Sequence, residues 1–198
     1  MHHAAEGVFA VVLKGGQIRN GDTVEMVPVP SDAPLTAAVI TLSDKGVKKG
    51  EREDKKRSGN RKKCWKKPAM RSLKAIFCRM NRNCLKNELI RLSDQRQVNL
   101  ILTTGGTGFS ERDRTPEATM TVATRLAPGI AEAIRAGSMK ITKRAMLSRE
   151  TSVIRNKTLI VNLPGSPKAV AESLELVIDQ LDHGIKILLG RTGECARN

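Results

Sequence analysis

The chain has 198 residues, with 35 Lys+Arg against 20 Asp+Glu and a formal net charge of +15. That length suits one ordinary domain with a short appendage, and 39% hydrophobic residues suffice for a core and exclude wholesale disorder. No apolar run reaches the ~18 residues of a spanning helix, and with no Tyr, one Trp and three Phe the chain lacks aromatic platforms for stacking single-stranded bases.

In chain order, Val8–Leu13 is strand-like, Gly15-Gly16 reads as a turn, and Thr23–Val27 reads as a second strand. Met1–Glu6 lacks the basic-then-apolar order of a signal peptide, so the four cysteines are expected as reduced thiols in a cytoplasm. Residues 29–35 form a linker, since Pro28, Pro30 and Pro34 forbid regular hydrogen bonding. The Ala37–Leu42 run is apolar throughout, the mark of a strand buried on both faces, and Ser43-Asp44 ends it.

Residues 48–87 then carry 16 Lys+Arg and three acids, or +13 of the charge, and leave +2 for the rest. The block shows no period of 2 or 3.6. Its cysteines, Cys64, Cys78 and Cys84, lack a C-x₂-C pair and any nearby His, which argues against zinc. A basic arm for nucleic acid is one reading, ranked below a segment foreign to the fold around it.

Beyond the block, Leu85, Leu89, Ile90 and Leu92 share a helical face, and Val98–Thr103 is a second buried strand ending in Thr104-Gly105-Gly106-Thr107-Gly108. Thr115-Pro116 predicts a helix start with a hydroxyl N-cap and Pro at the first position. Leu126–Gly129 breaks that helix and Ile130–Met139 resumes helical spacing. Thr158–Leu163 is a third buried strand, ending in Pro164-Gly165-Ser166-Pro167. Val170, Leu174, Val177, Ile178 and Leu181 form the stripe of a last helix, and 191–198 is a tail. Strands alternating with helices predict a three-layer, mostly parallel α/β sheet with helices on both faces, preceded by the short β hairpin.

In such sheets ligands bind beyond the carboxyl ends of the strands. Gly105–Gly108 lacks side chains at three of four positions, so its amides can approach an anion; a plain tight turn uses the same residues. After it, Asp113 stands between Arg112 and Arg114, just before a helix. Asp113 could hold a divalent cation while an arginine meets phosphate, or could simply complement the helix dipole. Asn162, Pro164, Gly165, Ser166 and Pro167 form a second wall. Ser43 and Asp44 face the same crevice, and Ser148-Arg149 adds candidate phosphate contacts.

Together, Ala38–Asp44, Thr103–Gly108, Arg112–Thr119, Ser148-Arg149 and Asn162–Pro167 resemble the MogA/MoaB family of molybdenum-cofactor biosynthesis proteins and the related gephyrin G domain. The likeness spans residues 36–190 apart from the basic block. It implies a homotrimer that binds molybdopterin and ATP with Mg²⁺, adenylylates the molybdopterin, and is followed by a molybdenum-insertion protein. Asp113 then matches one of the family's two functional aspartates and serves as catalytic and metal residue. Glu150-Thr151 departs from the family's Gly-Val, and Cys78–Asn81 stands where its Pro-Asp-Glu belongs. Residues 1–28 resemble the C-terminal end of a MOSC domain, a remnant to which no MOSC activity is credited.

Back-translated one base out of register, Lys63–Cys84 permits M-L-E-E-A-G-Y-E-V-V-E-G-Y-I-L-P-D-E-Q-E-L, which restores a helix end, a strand and the missing Pro-Asp-Glu. Met1–Ala5, shifted by one base in the opposite direction, permits C-I-M-P-R. Compensating insertions and deletions in the gene would explain the charge, the cysteines and the absent tyrosines together. A basic substitute in a buried strand leaves unpaired charges at several kcal/mol each, to order of magnitude, so the chain is expected to be unstable or weakly active.

Overall fold

The computed structural model describes residues 15–17, 19–23, 30, 32–43 and 70–191; side chains of 70–75 and 77 are not described. The chain divides into two compact units, Met1–Ala33 and Pro34–Asn198. In the first, the Arg19 amide donates to the Asp22 carboxylate (2.8 Å) and the Asp22 amide to the Arg19 carbonyl (3.1 Å). That turn lies at Asn20-Gly21, and none forms at Gly15-Gly16. The strand expected at 8–13, nearly all of the one expected at 23–27, Val29 and Ser31 of the linker, Asp44, more than half of the basic block and nearly all of the tail lie outside the described residues.

The second unit runs β1 (Leu35–Leu42), β2 (Met70–Cys78), α1 (Arg82–Ile90) with a π-helical turn at Arg91–Gln95, β3 (Leu100–Thr104), α2 (Thr115–Thr121), β4 (Arg125–Leu126), α3 (Pro128–Met139), a 3₁₀ turn (Lys143–Leu147), β5 (Ser152–Arg155), β6 (Thr158–Leu163) and α4 (Pro167–Leu188). One six-stranded sheet has the order β2-β1-β3-β6-β5-β4. The pairs β1–β2, β1–β3 and β3–β6 are parallel, while β5 and β4 add antiparallel strands at the far edge. The mostly parallel expectation therefore holds for four strands. β4 and β5 had no sequence signal, because a two-residue and a four-residue strand are too short to show a period.

Strand alternation splits the core in two. Ala37, Leu100, Leu102, Leu159, Val161 and Leu163 face α3 and α4, meeting Ile134 and the stripe Val170, Leu174, Val177, Leu181 and Ile185. Ala38, Ile40, Ile101 and Ile160 face α1 and α2, meeting Leu85, Leu89, Ala118 and Val122. Period-2 alternation within wholly apolar runs is what lets both faces be covered.

The basic block is corrected in part. Residues 70–78 pair as a strand although no period predicted one, and the helix after it starts at Arg82, where Asn81 caps it by accepting the amides of Asn83 (2.9 Å) and Cys84 (3.1 Å). The reason is position: β2 is an edge strand with one partner, and edges accommodate charge that inner strands do not. Burial pushes the Cys78 thiol well above its usual range, helped by the neighbouring Cys84 thiol and the Glu88 charge.

Candidate active site at the ends of the parallel strands

β3 and β6 are adjacent and parallel, with Thr104 opposite Leu163, so the turns that follow them emerge side by side. The Gly105 amide donates to the Leu163 carbonyl (3.1 Å), and a side chain at Gly165 would lie 3.5 Å from the Gly105 Cα. The two glycine turns thus form one wall. Ser43 ends β1 on the same side, its amide bonded to the Cys78 carbonyl at the end of β2 (3.2 Å).

The first turn is anchored through its carbonyls. Thr115 donates its amide to Gly106 (3.1 Å) and its hydroxyl to Gly105 (2.8 Å); Arg149 donates its amide to Thr107 and its Nε to Gly108, both at 2.8 Å. Gly105 and Gly106 have φ of +94° and +69°, a region open to glycine. No described residue accepts a hydrogen bond from the amides of Gly106, Thr107 or Gly108. Carbonyls spent on the protein and successive amides left over are an arrangement that can receive an anion.

Asp113 closes the loop. Its amide donates to the Ser110 carbonyl (2.8 Å), its Oδ2 accepts the Ser110 amide (3.3 Å), and a side chain on Gly108 would lie 2.9 Å from that oxygen. An open cleft of about 380 Å³ runs along Phe109, Ser110, Glu111, Asp113, Arg114 and Arg149. Arg112 and Arg114 line a second, small pocket with Met80, Asn81 and Arg82, and the Met80 Cε lies 3.7 Å from where a Gly106 side chain would start. The segment joining β2 to α1 therefore reaches the site, with Met80 and Asn81 on it.

Several expectations change. Thr104 and Asn162 were expected to contact substrate, but their side chains are sealed in the sheet at 1% and 0% exposure. Asn162 spends its Nδ2 on the Thr103 and Thr119 hydroxyls, each at 2.9 Å, tying β6 to β3 and α2 beneath the loop. Thr107 is buried too, so the loop offers backbone rather than side chain. Thr115 is not the N-cap of α2: Arg114 holds that position without a side-chain cap, and the threonine hydroxyl reaches back to Gly105. Ser166 does cap α4, accepting the Ala169 amide (3.1 Å), with Pro167 first in the helix; Pro164 and Gly165 line the turn before it. Ser148 gives its carbonyl to Arg135 Nε (3.0 Å).

Glu117, Arg135 and Thr115 are site residues that spacing alone missed. Glu117 meets Arg149 across 32 positions, and no local pattern announces such a pair.

The match to known proteins follows this geometry. Residues 38–183 match the family model described as a "probable molybdopterin binding domain". The chain belongs to this molybdopterin-binding family. Its domain is 44% identical over 109 residues to the molybdopterin adenylyltransferase of Helicobacter pylori, covering 55% of this chain and 62% of that protein. It is 47% identical over 105 residues to the Escherichia coli enzyme of the same name, covering 51% and 54%. The chain thus spans less than two thirds of the curated relatives it matches. The solved structure of the molybdopterin biosynthesis enzyme MoaB from Thermus thermophilus superposes with a TM-score of 0.70 at 38% identity, covering 79% of this chain and 97% of that one. The molybdopterin-binding domain thus has its fold, and the two glycine turns sit at one end of its sheet.

Proposed function

We propose that this domain adenylylates molybdopterin. The observation that carries the reading is the pair of adjoining glycine turns, with three backbone amides left without a described partner beside Asp113. Two phosphate-bearing substrates need that kind of wall. The molybdopterin phosphate oxygen attacks the α-phosphorus of ATP, a phosphoanhydride bond forms, and the bond to pyrophosphate breaks. Such transfers depend chiefly on positioning and charge neutralisation. The amides of Gly106–Gly108 hold phosphate oxygens, Gly165 admits close approach, and Arg112 and Arg114 add positive charge at the rim.

Magnesium typically takes one or two carboxylates plus substrate phosphates. Asp113 fits as the single carboxylate of that set, and no group of three metal-ligating side chains occurs among the described residues. When bound with nucleotide, the ion would offset phosphate charge.

A second reading has its own observation. Met80 and Asn81 occupy the corner where a second acid is expected, which favours a domain that binds molybdopterin without efficient turnover. Pyrophosphate release from ATP with molybdopterin separates the two. We expect slow release from the chain as it stands, and faster release when residues 63–84 are replaced by the sequence of the shifted frame. No gain on replacement removes the frameshift account; no release from either overturns the enzymatic reading.

A trimer is proposed on the same footing. Met139, Ile141, Met146 and Leu147 expose large apolar side chains along the end of α3 and the 3₁₀ turn, a strip that a second copy would cover. Sedimentation at micromolar concentration tests it, with a monomer as the contrary result. A product handed to a molybdenum-insertion protein and the MOSC origin of residues 1–28 rest on sequence resemblance, and a cytoplasmic location rests on the order of residues 1–6 and the cysteine content. No described helix is long and apolar enough to cross a membrane.

A further inference from the structure

The most heavily bonded side chain at the site is Arg149, whose Nε, Nη1 and Nη2 each donate to a group of the loop or of α2. Nε donates to the Gly108 carbonyl at 2.8 Å, Nη2 donates to the Asp113 carbonyl, and Nη1 pairs with the Glu117 carboxylate. Its own amide is bonded to Thr107. Thus one fork joins the end of the glycine turn, the acid after it and the first turn of α2. Behind it, Arg135 on α3 donates to the carbonyls of Ser148 (3.0 Å) and Glu150 (2.9 Å), so the segment that carries Arg149 is itself fastened to a helix.

We infer that Arg149 and Glu117 are a positioning pair, which holds the Gly106–Gly108 amides and Asp113 in one orientation toward a phosphate, and that Arg149 is not itself the phosphate ligand. The guanidinium fork is planar and rigid, so meeting three acceptors at once fixes their mutual geometry. A lysine in its place keeps the charge and loses the fork. Glu117 is what aims the fork: with Nη1 held by one carboxylate oxygen, Nε and Nη2 are left for the two carbonyls. This rests on the phosphate reading of the glycine turn and adds two positioning residues to it.

The sign of one isosteric change decides the matter. Glu117→Gln removes a negative charge next to an anion site. If Arg149 binds phosphate directly, that change frees the arginine and strengthens phosphate binding. If the pair positions the loop, it weakens binding. The experiment is calorimetric titration of the full chain with tripolyphosphate, for wild type, E117Q, R149K and the double variant, with thermal melts alongside. Expected are a loss of about three- to tenfold in affinity for E117Q, at least that for R149K, and a double variant no weaker than R149K alone, since the two act through one device. Amide exchange at Thr115 and Arg149, which bond the carbonyls of Gly106 and Thr107, should quicken in both single variants while the melts hold.

Unchanged or tighter binding by E117Q, or losses that simply add, would overturn the pair. Should wild type bind no tripolyphosphate, the phosphate reading of the turn falls, and exchange decides alone: quickened exchange at both amides keeps the clamp, and unchanged exchange removes it.

Discussion

Gly106 shows how little room the loop has. With φ at +69° and an added Cβ 2.3 Å from the Thr115 hydroxyl, alanine there meets backbone strain and a collision with the group that anchors Gly105. Gly106→Ala should cost about 2 kcal/mol or more, read as a lower urea midpoint at unchanged slope. Glu150 is the other telling residue. It is 4% exposed, and burial holds its carboxyl above the ordinary range, against the pull of the Ser148 hydroxyl and the Arg135 charge. The folded state therefore keeps this proton at pH values where the unfolded chain has lost it. Stability falls as pH rises from the unfolded value through the folded one. Glu150→Gln should remove that slope, so wild type and variant should converge in acid and diverge toward neutral pH in a series of unfolding curves. Glu117 behaves oppositely. Burial pushes it up, but the Arg149 hydrogen bond, a backbone bond and the charges of Arg149 and Arg114 bring it net below the usual range. Its contribution is present above the unfolded value and is lost as pH falls through the folded one.

Among the elements, α4 was largely legible and α2 was not. Of the 3.6-residue stripe of α4, Val170, Leu174, Val177 and Leu181 are buried and Ile178 is half-buried at its margin, and Ile185 extends it. Leu181→Ala should cost about 2–5 kcal/mol, whereas Ile187→Ala, on the solvent face of the same helix, should stay within about 0.5 kcal/mol. Paired chemical unfolding curves check both. At α2 the Thr-Pro start was placed correctly, but the threonine's partner was not. A hydroxyl can cap its own helix or reach a carbonyl elsewhere, and only the approach of Gly105 selects between them. The edge strand β2 was illegible for a related reason. Its sequence has no clean alternation, and a strand paired on one side alone is not obliged to have one.

For the whole molecule, the described core lies in the unit Pro34–Asn198. Deleting residues 1–33 should therefore leave its melting temperature unchanged, as measured by circular dichroism; a large drop would mean that the first unit supports the second. The +15 charge is equally a property of one segment rather than of the surface at large, because 48–87 carries +13 of it. Salt-dependent adhesion to polyanions, if seen, should vanish when that block is replaced.

By itself, the sequence determined the alternation of strands and helices, the two glycine turns and their place at strand ends, because apolar period and glycine content act locally. It could not decide that Asn162 and Thr104 face inward, that Thr115 serves Gly105, or that Arg149 binds Glu117. Those are choices among partners up to 63 positions apart, made only when the folded sheet and its loops bring the groups within hydrogen-bond reach.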